Sequence, residues 1–350
     1  MNILVTGGGG YLGSVLLPKL LTRGHKVRVV DIGYFGLGHL TAMRDGVQII
    51  REDMRRVCSD PVFRDEILDG MDCVIHLAAV SNDPSAELNP SLTQEVNFEA
   101  TVSLAEAARK KGIRFVFSSS CSVYGDAEGD LTEDAGLNPL TVYAVSKVQS
   151  EEALNAMAST TWRPVILRNG TLFGYSPRMR FDLVVNIFAL YSTIHNQIRV
   201  FGDGLQWRPF LSVQDCARAF VFLSEKQDLR HIFYNVSHEN LRVVDVAEIF
   251  IRLNTNLKVS QVATQDPDRR NYKVSAQRLL DEGFRTRIGV SEGAEGISEA
   301  IVSGAISDPE SVFYRNAKWL KDLTSIGSMD HRQLVQLLES FSVLGRGTAT

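Results

Sequence analysis

The sequence predicts an α/β fold built on a doubly wound parallel sheet. Three observations carry that expectation. Strand-like and helix-like segments alternate through the first half of the chain, which is the order of βαβ units. The strand-like runs are apolar at consecutive positions rather than at every second one, as befits a sheet covered on both faces. A run of four glycines, Gly7 to Gly10, separates the first strand from the first helix.

Each element has its own warrant. Residues 2–6 (NILVT) are short, apolar and β-branched, and glycine ends them. Residues 14–23 (SVLLPKLLTR) carry apolar side chains at helical spacing, and 26–31 (KVRVVD) return to strand character. Further strands are expected at 47–53, 73–77 and 115–118. Between the last two, residues 92–111 read as one long amphipathic helix rich in Ala, Glu and Lys. In the second half, 165–168 and 233–235 look like additional strands of the same sheet. The longer segments at about 175–210 and 236–305 follow strand ends, where an α/β protein builds its ligand pocket. Expected domains are residues 1–172 with a strand returning near 210–236, then a smaller C-terminal α/β substrate-binding domain from 173–209 and 237–327. Residues 328–350 form a tail that ends in small and polar residues and is expected to fray.

Composition narrows the function classes. The 350 residues include 37 Lys and Arg against 41 Asp and Glu, a formal net charge of −4. That balance lacks the basic excess of a nucleic-acid binder. No apolar run approaches the ~20 residues that span a bilayer, and the N-terminus lacks the pattern of a secretory signal. A cytoplasmic location is expected. The cysteines Cys58, Cys73, Cys121 and Cys216 form no CxxC pair and no zinc spacing, so reduced thiols and no metal are expected.

The glycine-rich segment is the first chemical signal. Gly7, Gly10 and Gly13, with Tyr11 and Leu12 between them, have the spacing GxxGxxG. Glycine lets the backbone turn tightly and bring N–H groups against a pyrophosphate, while the helix N-terminus adds partial positive charge. Asp31 closes the second strand and is placed to accept hydrogen bonds from an adenosine ribose, favouring NAD over its 2′-phosphorylated form. The sheet is therefore expected to be Rossmann-type, with NAD as cofactor. Asp53 is expected to end a third strand, where it either contacts adenine or caps the next helix, and Met54 beside it is expected to contact the cofactor.

Tyr143 and Lys147 stand one helical turn apart in Tyr-Ala-Val-Ser-Lys, at the start of a convincing helix. A nearby ammonium favours the phenolate, so the tyrosine is expected to exchange a proton with a substrate hydroxyl. The strand at 115–118 runs into Ser118, Ser119, Ser120, Cys121 and Ser122, bringing hydroxyls to the sheet edge where ligands bind.

On these residues the chain resembles the extended short-chain dehydrogenase/reductases, and within them the nucleotide-sugar epimerases and dehydratases. The resemblance runs over about residues 1–305. It implies a cofactor-lining stretch at His76, Leu77, Ala78 and Ala79, a cofactor-side Asn97, and Ser120 as the hydroxyl that holds the reacting group. Tyr143 and Lys147 become the catalytic pair and ligands of the nicotinamide ribose. Arg208, in Trp-Arg-Pro-Phe-Leu-Ser, and Arg270, in Asp268-Arg269-Arg270-Asn271-Tyr272, resemble arginines that hold the substrate diphosphate. A guanidinium suits that task through its bidentate fork.

The chain also departs from the family pattern. The 4,6-dehydratases of the family carry Asp-Glu directly after the catalytic threonine, whereas Cys121 and Ser122 stand here. Dehydration is not expected, and Ser122 is left as a substrate contact. Thr171 occupies a position where the family commonly has Asn, and is kept as a substrate contact. The run from Ser176 to Asn186 resembles enzymes acting at C4 of modified hexoses and heptoses, with Asn186 as a substrate contact. Arg178 and Arg180 line the sugar pocket or pair with Asp182. Ser81, Asn82 and Asp83 face the sugar or cap the next helix.

The expectation is thus an NAD-dependent enzyme acting on a nucleotide-diphosphate sugar, most concretely a 4-epimerase working through a transient 4-keto sugar. A 4-dehydrogenase or 4-ketoreductase of a deoxysugar or heptose pathway is the alternative, and a non-catalytic NAD-sensing protein a more remote one. The resemblance also implies a homodimer.

Overall fold

The computed structural model describes residues 1–43, 45–263 and 270–325. The expected tail at 328–350 lies outside them, as do Asp268 and Arg269. Seven parallel strands form the central sheet: β1 (Asn2–Thr6), β2 (Lys26–Asp31), β3 (Val47–Arg51), β4 (Cys73–His76), β5 (Arg114–Ser120), β7 (Val165–Asn169) and β11 (Phe233–Val236). Their order is β11-β7-β5-β4-β1-β2-β3. β1 therefore has β2 on one side and β4 on the other, and the chain winds outward in both directions from it. The crevice beyond the carboxyl ends of β1 and β4 is the switch point where such sheets bind ligands.

Alternation within the strands explains their consecutive apolar residues. Ile3 and Val5 enter one core while Leu4 enters the other, and Ile75 and Val74 divide in the same way. The first core lies under α1 (Gly13–Thr22), α8 (Val184–His195), α9 (Val213–Glu225) and α12 (Val290–Val302). The second lies under α2 (Arg56–Ser59), α3 (Pro61–Leu68) and α6 (Ala100–Lys110). Burial on both faces leaves no polar side for the strands to show.

Smaller elements complete the cleft. Strands β8 (Thr171–Phe173), β10 (Trp207–Ser212) and β12 (Glu239–Arg242) form a separate sheet. β9 (Gln197–Phe201) pairs with β13 (Lys258–Val262), and β6 (Asp126–Leu131) with β14 (Asn271–Val274). The helices α4 (Asp83–Ala86), α5 (Pro90–Gln94), α7 (Val142–Met157), α10 (Val243–Leu253), α11 (Gln277–Asp281) and α13 (Asn316–Ser325) fill the connections.

Two expected elements differ. The strand predicted at 47–53 ends at Arg51. Asp53 lies beyond it, accepts from the Arg55 N–H at 2.9 Å and pairs with the Arg55 guanidinium at 2.7 Å. The helix predicted over 92–111 is interrupted by a π-turn, Glu95–Glu99, between α5 and α6. There the Asn97 carbonyl accepts from the hydroxyls of Thr101 at 2.7 Å and Ser150 at 2.9 Å. Hydroxyls that compete for helix carbonyls loosen the regular ladder, and such π-turns recur beside functional sites. No helix among the described residues is long and apolar enough to cross a membrane.

Candidate active site

The glycine loop forms the floor of the crevice. Gly7 has φ +72°, and a Cβ there would lie 2.7 Å from the Ala78 nitrogen. A Cβ on Gly13 would lie 2.5 Å from the Gly8 carbonyl. Glycine is thus required for the turn and for packing the loop against the end of β4. Leu12 is the N-cap of α1, so that helix terminus opens toward the loop. Leu77, Ala78 and Ala79, all half-buried, form the opposite bank, anchored by the Leu77 N–H on the Thr6 carbonyl at 3.1 Å.

Asp31 accepts from the Gly9 N–H at 2.9 Å and the Gly33 N–H at 2.7 Å. Burial raises its pKa, and those two N–H groups with the charges of Arg178 and Arg51 partly counter the rise. A carboxylate at the tip of β2, tied to a loop in which glycine alone fits, is the cradle a dinucleotide needs. Met54, expected as a cofactor contact, is instead buried in the second core.

On the other bank, Thr141 caps α7 by accepting from the Ala144 N–H at 3.2 Å. The helix then presents Tyr143 and Lys147 along one face. Ser120 ends β5, and its hydroxyl accepts from the Ser122 N–H at 3.1 Å. The Ser120 hydroxyl is near enough to the Tyr143 phenol to lower its pKa, so the expected pair of hydroxyls is brought together. Lys147 is buried, donates to the Ser118 carbonyl at 2.8 Å, and lies 5.7 Å from the centre of the Tyr143 ring.

The electrostatics differ from the simple expectation of a depressed phenol. Burial and the Asp83 charge push Tyr143 up to about 12, while the Ser120 hydroxyl, Arg180 and Arg270 pull it down. Burial lowers Lys147 to about 7, with Glu151 opposing. A lysine so depressed is only partly charged at neutrality, which weakens its hold on the phenolate.

Glu151 and Arg168 were not among the expected site residues. Glu151 repeats the one-turn spacing beyond Lys147, a signal present in the sequence. Its carboxylate accepts from the Ser119 hydroxyl at 2.5 Å and from Arg168 through both Nε and Nη2. Arg168 also donates to the Tyr124 hydroxyl at 2.9 Å. This buried set braces the end of β5 against α7 from behind.

Several expected ligands turn out to be clamps. The Asn186 amide donates to the Tyr11 hydroxyl at 3.0 Å and the Arg180 carbonyl at 2.8 Å, and accepts from the Gly174 N–H at 3.0 Å. It is fully buried, and its side chain is committed to these partners. The Tyr11 hydroxyl in turn donates to the Gly174 carbonyl at 2.6 Å. Asn97 is also committed, to both backbone groups of Val80 and to the Ser146 hydroxyl. It joins the loop after β4 to the catalytic helix rather than offering its amide to a cofactor.

The remaining residues sort by position. Arg180 forms a two-pronged pair with Asp182, one of the two roles open to it, and Asn82 donates to the same carboxylate at 2.6 Å. Arg270 pairs with Asp83 at 3.0 Å, and Arg208 donates to the Arg270 carbonyl. The two diphosphate candidates are thus adjacent. Arg178 stands away from them, its guanidinium 3.8 Å over the Phe35 ring on the Asp31 side. Asn82 caps α4 by accepting from Ser85. Ser81 accepts from Asn316, a partner no sequence signal indicated. Thr171 is half-buried in β8. Ser122 is buried, and its hydroxyl has no hydrogen bond among the described residues, so it does not open onto the cleft.

Comparisons with known proteins agree with this fold. An uncharacterized UDP-glucose epimerase of Bacillus subtilis is 28% identical over 293 residues, 80% of this chain and 92% of the relative. UDP-glucuronic acid decarboxylase 1 of Danio rerio is 27% identical, covering 83% of this chain and 70% of the relative. Among solved structures, MoeE5 in complex with UDP-glucose and NAD superposes with a TM-score of 0.74 at 26% identity, over 87% of this chain and all of that one. The UDP-glucose 4-epimerase of Thermus thermophilus in complex with NAD gives 0.74 at 25% identity, over 86% of this chain and all of that one. The profile of the NAD dependent epimerase/dehydratase family matches residues 3–237. With that match over the cradle, β5 and the catalytic helix, the chain belongs to the NAD dependent epimerase/dehydratase family and takes NAD as its cofactor.

Proposed function

We propose that this enzyme oxidises and re-reduces a hydroxyl-bearing carbon of a nucleotide-diphosphate sugar, at C4, and so inverts it. The observation that carries the reading is the juxtaposition of Ser120, Tyr143 and Lys147 at the switch point, with Arg208 and Arg270 beside them. Relatives named for UDP-glucose and UDP-glucuronic acid support the substrate class.

Bound NAD supplies what the side chains lack, the reversible removal of hydride from the carbon bearing the reacting hydroxyl. Ser120 holds that hydroxyl against the Tyr143 oxygen, which takes its proton. Arg180 and Arg270 favour the phenolate, and Lys147 adds to them in its charged form. Arg208 and Arg270 hold the diphosphate while the keto sugar turns to present its other face for the return of hydride, and Tyr143 gives the proton back to the oxygen. Elimination of water has no support, because Cys121 is buried against the Arg168 carbonyl, its thiol pushed far up by burial.

A homodimer through α7 is part of the same reading. Leu88, Leu140 and Val145 leave apolar side chains exposed at or beside that helix.

The test is incubation with UDP-, GDP-, dTDP- and CDP-sugars followed by NMR of the products. Inversion at C4 without net formation of NADH is expected. Stoichiometric NADH release with a keto sugar would replace the epimerase by a 4-dehydrogenase.

A further inference from the structure

Arg178 is a buried cation without an ion-pair partner among the described residues. It is 2% exposed. Nη1 donates to the Met179 carbonyl at 3.1 Å and Nη2 to the Asn316 side-chain oxygen at 2.6 Å. Nε is buried and makes no hydrogen bond among the described residues. No carboxylate among the described residues forms an ion pair with it. Burial and the like charge of Arg180 pull its pKa down to about 9, with Asp182 and Asp31 only partly opposing. A buried, unpaired guanidinium with an orphan N–H is costly unless an anion comes to it.

Its surroundings say which anion. The Ser176 hydroxyl, on the same loop, donates to the Tyr11 carbonyl at 2.8 Å, tying this loop to the glycine turn. On the other side lies Phe35, just past Asp31. Arg178 therefore sits between the adenosine-side carboxylate and the loop shaped for a pyrophosphate. It is apart from the Arg208–Arg270 pair.

The segment 313–319 closes over this point. The Asn316 amide that receives Arg178 also donates to the Ser81 hydroxyl at 3.2 Å, on the bank beyond β4. The Trp319 indole donates to the Tyr34 carbonyl at 2.8 Å, and the Phe181 N–H to the Tyr314 carbonyl at 2.7 Å. Phe313 meets Phe35 edge-on at 6.5 Å. One side chain, Asn316, thus joins both banks.

We propose that Arg178 is a ligand of the NAD diphosphate and that Asn316 keys it from the C-terminal segment, latching the cofactor in place between turnovers. The inference rests on NAD as cofactor and not on the identity of the sugar. It deepens the epimerase reading, since an enzyme that returns hydride to the same sugar has no need to exchange NAD.

The test uses full-length protein freed of nucleotide. Calorimetry would measure ADP-ribose, adenosine, UDP and uridine on wild type, Arg178→Met and Asn316→Ala. Arg178→Met should weaken ADP-ribose at least ~10-fold, about one charge-assisted contact. It should leave adenosine and UDP unchanged. Asn316→Ala should speed NAD release, read by stopped-flow displacement, at least ~10-fold. Arg178→Lys, which keeps the charge, should recover part of the ADP-ribose affinity and guards against a folding defect in the methionine variant. Unchanged ADP-ribose binding in Arg178→Met, or a loss confined to UDP, would overturn the ligand assignment. An unaltered NAD release rate in Asn316→Ala would overturn the latch. None of these readouts depends on turnover of a sugar, so a failure here is distinct from a failure of the epimerase reading.

Discussion

Lys147 and Glu151 stand one turn apart on α7, yet the Glu151 carboxylate is held by Arg168, at 2.7 Å, and not by the lysine. The lysine donates instead to the Ser118 carbonyl. A buried acid neutralised by a second base leaves Lys147 with little counter-charge. Burial, opposed only in part by Glu151, therefore makes its ammonium easy to deprotonate.

That depression has a thermodynamic sign. A lysine whose folded pKa of about 7 lies below its unfolded value of about 10.4 destabilises the fold fully at low pH. The unfolded chain binds the extra proton between those values, so stability rises with pH across that window. Lys147→Met should therefore raise the melting temperature relative to wild type near pH 6. The difference should shrink toward pH 10. Parallel melting curves across pH test it, and a constant difference would contradict it.

Removing one partner of the buried pair should be severe. Arg168→Ala leaves the Glu151 charge uncompensated and should cost roughly 3–5 kcal/mol in denaturant unfolding. Arg168→Met with Glu151→Gln should recover much of that loss, because no buried charge remains. A double variant as unstable as the single would refute the pairing as the cause.

Asp83 raises the Tyr143 phenol. Replacing it by Asn removes an anion and releases the Arg270 guanidinium, and both changes favour the phenolate. The acid limb of the pH–rate profile should move to lower pH in Asp83→Asn. A limb that stays in place, or moves up, would show that Asp83 does not act on the proton acceptor.

Tyr11→Phe should act through structure. It removes the hydroxyl that donates to Gly174 and accepts from Asn186. Leaving those buried groups unpaired should cost about 1–3 kcal/mol. The loss should appear in unfolding curves, with the KM for the sugar little changed. A selective rise in that KM would return Asn186 to the substrate site.

Much of this was legible in the sequence, and the reasons are local. The βαβ order, the glycine loop, Asp31 and the one-turn spacing of Tyr143 and Lys147 all express short-range geometry. The misplacements are long-range. Asn186 reads as a polar residue near the pocket, but its partners Tyr11 and Gly174 are far from it in sequence. Arg178 and Arg208 are both arginines within family-like runs, and only the tertiary path of the loop after β8 sends the first to the Asp31 side. The π-turn at Asn97 escaped because the amphipathic spacing on either side continues through it.

The most direct measurement is Tyr143→Phe, assayed for single-turnover NAD reduction with the nucleotide sugar that wild type converts best, alongside NAD affinity. Loss of the proton acceptor should slow reduction by ~10²–10⁴-fold while NAD binds as in wild type. Near-wild-type reduction in that variant would contradict the assignment of Tyr143 as the proton acceptor.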